Sequence, residues 1–181
     1  MRPIIFLDID DVLAISREYT SNEVIAAFKS SVLGDWPELW AGLISAEARA
    51  NLGALHSEFW PQYVISSSWS NFLTREQMQL IFRHTGLDFV AKNLHKRWTT
   101  PKGMGPSRTD EIKNWIAKHG RRRQTMLVLD DHESGLGLRA SSLDHQGLVV
   151  LCDSWVGFNA DKLASAQSLL RKQVMPTLRK L

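Results

Sequence analysis

Cysteine is nearly absent: Cys152 is the single thiol in 181 residues. One thiol closes no intrachain disulfide, so the expected setting is a reducing cytoplasm and not an oxidising compartment. Long apolar runs are missing as well. None approaches the roughly 20 residues that a membrane-spanning helix needs. The N-terminal run, Pro3 to Leu7, meets carboxylates too soon to read as a secretory leader. Repeats and low-complexity linkers are also lacking, which leaves one domain over 1–181, long enough to bury a real core. A strong charge of either sign is absent too. The net charge is +3, which permits an anionic substrate without demanding one.

The basic residues that are present cluster at His95-Lys96-Arg97, Arg121-Arg122-Arg123 and Arg171-Lys172. These read first as solvated helix ends and loops, ahead of a nucleic-acid surface. Seven tryptophans read mostly as core, because Trp is a large hydrophobe before it is anything else.

Short apolar β-type runs are expected as strands at Pro3–Leu7, Tyr63–Ile65, Thr125–Leu129 and Gly147–Leu151. Helical spacing marks 21–31, with Ser21 as N-cap, and 45–59. Thr74-Arg75-Glu76-Gln77 has capping-box spacing and opens a helix to about His84, which Gly86 stops. A helix from Ser107 to His119 has Ser107 as N-cap and acidic residues in its first turn. Asn159 caps a last helix towards Gln173. The stretch 87–106 reads as loop with at most one short strand. Strands alternating with helices imply an α/β fold with a mainly parallel sheet. Ligands in such sheets bind beyond the carboxyl ends of the strands.

Three apolar strands end abruptly in polar groups: IIFL in Asp8-Ile9-Asp10-Asp11, YVI in Ser66-Ser67-Ser68, and MLVL in Asp130-Asp131. If these strands are parallel neighbours, five carboxylates meet at one sheet edge. Their mutual repulsion drives pKa values up unless a cation neutralises them. A hard divalent ion with oxygen ligands is the natural remedy, and Mg2+ suits few carboxylates with room left for water and phosphate. Asp8 and Asp10 sit at i and i+2, on one face of a strand. One can attack phosphorus while the other handles the proton. Ser66 offers a hydroxyl and backbone N–H to a phosphoryl oxygen.

The order of these motifs, IIFLDIDDVL, YVISSSW, a basic residue among 102–108, and MLVLDD, resembles the four motifs of the haloacid dehalogenase (HAD) superfamily. The resemblance implies a Rossmann-like three-layer sandwich with a central parallel sheet and a small cap or none, with a helical insertion within about 14–42. It also implies a phosphatase: Asp8 as nucleophile, Asp10 as acid/base, and Ser66 with Ser67 binding phosphate. Asp8, the backbone carbonyl of Asp10, and Asp130 would hold Mg2+, supported by Asp131. Arg108, in the first turn of the helix before the DD strand, is the preferred phosphate-binding cation, and Lys102 is its rival. The family usually has Gly where Asp11 stands. Asp tolerates left-handed geometry, so the turn is expected to survive; the alternative is an altered metal site. The Ser-Ser-Trp sequence, the RTDEIKNWI helix, the LDD strand and Gly157-Phe158 resemble more loosely a subgroup of HAD domains associated with bacterial and phage RNA-repair proteins. That likeness implies a nucleotide or polynucleotide end as the phosphorylated substrate.

Other assignments fit less well. A receiver domain needs an Asp where the middle strand ends in serines. A toprim domain places its DxD pair after a Glu strand, whereas this pair comes first. Asp10 argues against a dehalogenase, since a halide leaving group needs no proton, and without a large cap a mutase lacks a place to hold its intermediate. A domain that keeps its carboxylates, has lost turnover and only binds a phosphorylated partner is the alternative reading. Trp69 and Trp98 are read as packed side chains, ahead of base-stacking ones.

Overall fold

A computed structural model describes residues 1–16, 18–29, 36–101 and 107–178, with side chains in the last helix described through Val174. Lys102 and the segment 30–35 lie outside the described residues.

Five parallel strands form the sheet: β1 (Ile4–Leu7), β2 (Gln62–Ile65), β3 (Leu94–Thr99), β4 (Met126–Asp131) and β5 (Val149–Cys152), in the order β3-β2-β1-β4-β5. The first strand in the chain is therefore central, and β1, β2 and β4 are the neighbours whose ends carry the polar motifs. β1 is buried along its whole length, as expected of a strand covered on both faces.

Alternation along β1 sends side chains to two cores. Ile5, Leu7 and Ile9 face a large core built with α1 (Ser21–Lys29), α2 (Pro37–Leu43), α3 (Ala46–Phe59), α4 (Arg75–His84) and α8 (Ala160–Leu178). Ile4 and Phe6 face a smaller one built with α6 (Arg108–His119) and α7 (Ser142–His145). There Phe6 meets Trp115 of α6 edge-to-face at 5.2 Å. The result is a three-layer α/β/α fold.

Local signals act largely as expected. Thr74 and Gln77 close a capping box at α4. Ser107 caps α6 through the amide of Asp110, and Asn159 accepts from the amide of Lys162 at the start of α8. Ser45 precedes α3 as its cap. Three expectations need correction. Thr20, not Ser21, caps α1: its hydroxyl accepts from Asn22 N, and Glu23 reaches back to Thr20 N. The stretch read as loop contains α5 (Asp88–Lys92) and the edge strand β3. Helix α7 was not expected, and α2 was expected only as part of a helical insertion within about 14–42. Within 14–42, α1 and the start of α2 pack onto the large core through Val24, Leu39 and Trp40. Trp40 stacks on His84 of α4.

Candidate active site

The register builds the site. Leu7 pairs with Ile65 on one side and Leu129 on the other. Asp8, Ser66 and Asp130 therefore come next in one row, on neighbouring strands roughly 4.8 Å apart. The ladder continues past the strand ends, with Asp8 N bonded to Leu129 O (2.9 Å) and Ser66 N to Leu7 O (3.0 Å). By alternation these three side chains share the face of Ile4 and Phe6. That is the face α6 covers.

Arg108, the first residue of α6, is thereby delivered to the carboxylates. Its guanidinium lies 3.2 Å from Asp130 Oδ2 through Nε and 3.7 Å from Asp8 Oδ1 through Nη2. Thr109, next along, bonds Gly137 O and ties the helix start to the loop after β4. Asp131 completes the group: one carboxylate oxygen from each of Asp8, Asp130 and Asp131 lies within 4.8 Å of the others. The second oxygen of Asp131, Oδ1, is fixed by the amides of Glu133 (2.6 Å) and Ser134 (2.8 Å).

Four buried side-chain oxygens among the described residues have no hydrogen-bond partner: Asp8 Oδ2, Ser66 Oγ, Asp130 Oδ2 and Asp131 Oδ2. The contact of Arg108 with Asp130 Oδ2 is an ion pair without hydrogen-bond alignment. Orphaned buried oxygens are costly, and these all lie at one sheet edge. A cation and a phosphoryl group are ligands whose chemistry matches this donor set. Burial, then the neighbouring Asp130, pushes the Asp8 carboxyl well up, against the opposing pull of Arg108. Burial likewise raises Asp130, with Arg108 opposing and Asp131 adding to the rise.

Asp10 is not one of the three carboxylates in mutual reach, but it is close enough to feel Asp131 and Arg108. Its Oδ2 accepts from the indole N–H of the fully buried Trp69 at 2.9 Å. Burial raises its pKa and the Trp69 bond partly offsets the rise. Ser67 caps the 3-10 turn Ser68–Asn71 through Trp69 N. Its hydroxyl also stabilises the Asp8 carboxylate.

Asp11 adopts φ +53°, so the turn that usually calls for glycine does form here. Its Oδ1 accepts from Trp155 N at 2.9 Å, which directs it to the loop after β5 and away from the three-carboxylate cluster. That loop lies close against the β1 turn: a Cβ on Gly157 (φ +73°) would meet Ile15 Cγ2 at 2.8 Å and Val12 O at 2.9 Å. Of the five carboxylates expected at this edge, Asp8, Asp130 and Asp131 come within metal-ligating reach of one another, while Asp10 and Asp11 each accept a bond from an N–H donor, and Asp10 still feels the charges of Asp11, Asp131 and Arg108. Sequence reasoning missed Trp69 as that donor; only its position directly after the serines hinted at it. His132 pairs with Asp153, 3.2 Å away.

A parallel sheet in this strand order, with acidic strand ends and a cation from the helix before β4, defines a HAD-type α/β domain. The family model described as "HAD domain in Swiss Army Knife RNA repair proteins" matches residues 4–163, and the chain belongs to that family. This supports a HAD-type hydrolase acting on phosphate esters. No curated protein and no solved structure matches the chain. No described helix is long and apolar enough to cross a membrane.

Proposed function

We propose that the chain is a Mg2+-dependent phosphomonoesterase that works through an aspartyl-phosphate on Asp8, and that its substrate is a nucleotide or a polynucleotide end. The observation that carries the reading is the group of four buried oxygens without a hydrogen bond on Asp8, Ser66, Asp130 and Asp131. An apolar or merely structural site does not leave such groups together. Asp8, Asp130 and Asp131 would hold Mg2+, with the backbone carbonyl of Asp10. The ion supplies charge neutralisation for the carboxylates and for the transferring phosphoryl group.

The chain's own residues do the rest. Ser66, with Ser67 beside it, and Arg108 orient the phosphoryl oxygens. Arg108 and the positive end of α6 favour a dianion there. An Asp8 oxygen forms a bond to phosphorus as the bond to the leaving oxygen breaks, and Asp10 gives that oxygen its proton. Asp10 then takes a proton from the water that attacks the aspartyl-phosphate. Phosphate leaves and both carboxyls return to their starting states. The raised pKa of Asp10 suits a group that must begin as an acid. The family description, with its reference to RNA repair, supports nucleic-acid ends over small metabolites.

The test is phosphate release, with and without Mg2+, from an aryl phosphate, nucleotides, and oligonucleotides phosphorylated at either end, with Asp8→Asn as control. Mg2+-dependent release that Asp8→Asn abolishes is expected. Binding of the phosphorylated oligonucleotide with no release from any substrate would instead mean a silent, phosphate-binding domain.

A further inference from the structure

We infer that the groove between β3 and α6 binds the sugar-phosphate backbone of a single-stranded polynucleotide whose terminal phosphate reaches Ser66. This rests on the phosphatase reading above and names its substrate class. The groove has a volume of about 530 Å3 and is lined by Lys96, Arg97, Trp98 and Thr100 from one side and Lys118 and His119 from the other, and none of its described lining residues is acidic.

Among the described residues no ion pair engages Lys96, Arg97 or Lys118, and all three are exposed. Burial lowers the His95 pKa, and the nearby Lys96, His119 and Arg75 add to the fall. The row continues past α6 into exposed Arg121, Arg122 and Arg123. Charged residues on an edge strand are a common defence against edge pairing, and that alone would account for Lys96 and Arg97. It does not account for the second row on α6. The edge is also already covered, since Arg75 bonds the carbonyls of Leu94 and Lys96 and Trp115 bonds that of Arg97.

One end of the groove adjoins the strand that runs into Ser66. Thr100 N bonds Ile65 O at 3.1 Å, directly before Ser66, and Thr99 Oγ1 bonds Ser70 Oγ at 2.9 Å. α6 is roughly 18 Å long at about 1.5 Å per residue, which spans about five nucleotides at a rise of about 3.4 Å each. Trp98 is half-buried and packs against the large core, as its reading as a packed side chain expects. Basic charge on both walls and a groove end beside the strand of Ser66 fit a nucleic-acid strand with a terminal phosphate better than an acidic peptide, which carries none. His95-Lys96-Arg97, read first as a solvated loop, lies on β3 with Lys96 and Arg97 exposed.

The experiment uses a fluorescent, unphosphorylated single-stranded 12-mer RNA and the whole chain, with binding read by anisotropy across a salt series. Affinity is expected to fall linearly in log–log form with salt. Lys96→Ala/Arg97→Ala/Lys118→Ala should weaken binding on the order of tenfold or more and reduce the slope by about 2. The charge-preserving variant Lys96→Arg/Arg97→Lys/Lys118→Arg should keep the binding, which separates charge from folding. Salt-independent binding, undiminished binding by the triple alanine variant, or preference for polyglutamate over RNA overturns the inference. Because this probe carries no terminal phosphate, failure here is distinct from failure of phosphate release from an aryl phosphate.

Discussion

Trp69 Nε1 donates to Asp10 Oδ2 at 2.9 Å from a side chain with no solvent exposure. The bond fixes the carboxyl proposed to move the proton and lowers its pKa against the rise caused by burial. Trp69→Phe keeps an aromatic ring and removes the donor. The expected outcome is a kcat loss of roughly tenfold, a fraction of what a general acid contributes. Without the N–H, the Asp10 pKa rises further. Leaving-group protonation needs the protonated form, so the alkaline fall of the kcat profile should move to higher pH. In an Asp10→Asn background the same change should cost nothing more, as a double-mutant cycle would show. An unshifted profile, or full additivity, would reduce Trp69 to a packing residue.

Arg108 is the counter-charge for both Asp8 and Asp130. Arg108→Met leaves those buried carboxylates uncompensated, and breaking such a pair typically costs about 3–5 kcal/mol. The loss should be large at neutral pH and smaller near pH 5, where protons can replace the guanidinium. Arg108→Lys should recover most of the stability, because a point charge still neutralises the pair, but not all of the phosphate affinity, because Lys lacks the planar fork. Denaturant melts at the two pH values and KM for the aryl phosphate check both halves. Equal stability of Arg108→Met at both pH values would contradict the assignment.

Asp8 and Asp130 have raised pKa values in the folded state, so the folded chain holds protons that the unfolded chain has already released. The stability they contribute is fully present below the ordinary carboxylate pKa and is lost as pH rises through the folded values. Mg2+ replaces those protons. In the absence of metal, Tm should therefore fall from mildly acidic to neutral pH. Mg2+ at about 100 times its Kd adds about 2.7 kcal/mol, a Tm rise of roughly 5–10 °C for a chain of this size, and flattens the pH dependence. Asp130→Asn should remove the Mg2+ response. A thermal-shift series in pH and Mg2+ reads both, and a wild-type Tm indifferent to Mg2+ would sink the metal assignment.

The strand ends were the most legible feature of the sequence because each joins two unmistakable signals, an apolar run and a polar cluster. Three such ends pointed to the row Asp8, Ser66, Asp130 on the condition that their strands are parallel neighbours, and the register meets that condition. The edge strand β3 was hidden because only Leu94 of LHKRWT is fully buried: an edge strand rich in polar residues lacks the apolar run that identifies a strand. Helix α2 was not delimited within the insertion because its cap, Trp36, has no capping side chain, and α7 was missed because it has only four residues. The directions of Asp10 and Asp11 were illegible for another reason. Their partners, Trp69 and Trp155, lie 59 and 144 residues away, and no local spacing reports such pairs.

Burial pushes the Cys152 thiol up to about 12. At pH 8 its thiolate fraction is then on the order of 1 in 10,000, and the thiolate is the reactive form. A disulfide reagent should label the native chain only as fast as it opens, and the unfolded chain at the rate of a free thiol. Labelling of the native protein at the free-thiol rate would show that the β5 end is not buried as described.

Asp11 combines two opposing effects, which a substitution series separates. Its φ of +53° favours glycine, while its side chain holds Trp155 N. Asp11→Ala loses the bond and keeps a strained backbone, so a loss of about 1–3 kcal/mol is expected. Asp11→Gly loses the same bond but relieves the strain, and should be clearly more stable than Asp11→Ala. Asp11→Asn keeps an acceptor oxygen and tolerates the left-handed region, so it should stay closest to the native chain. Because Asp11 is outside the carboxylate cluster, the Mg2+-induced Tm shift should survive in all three variants. Loss of that shift in Asp11→Asn would bring this residue back into the metal site.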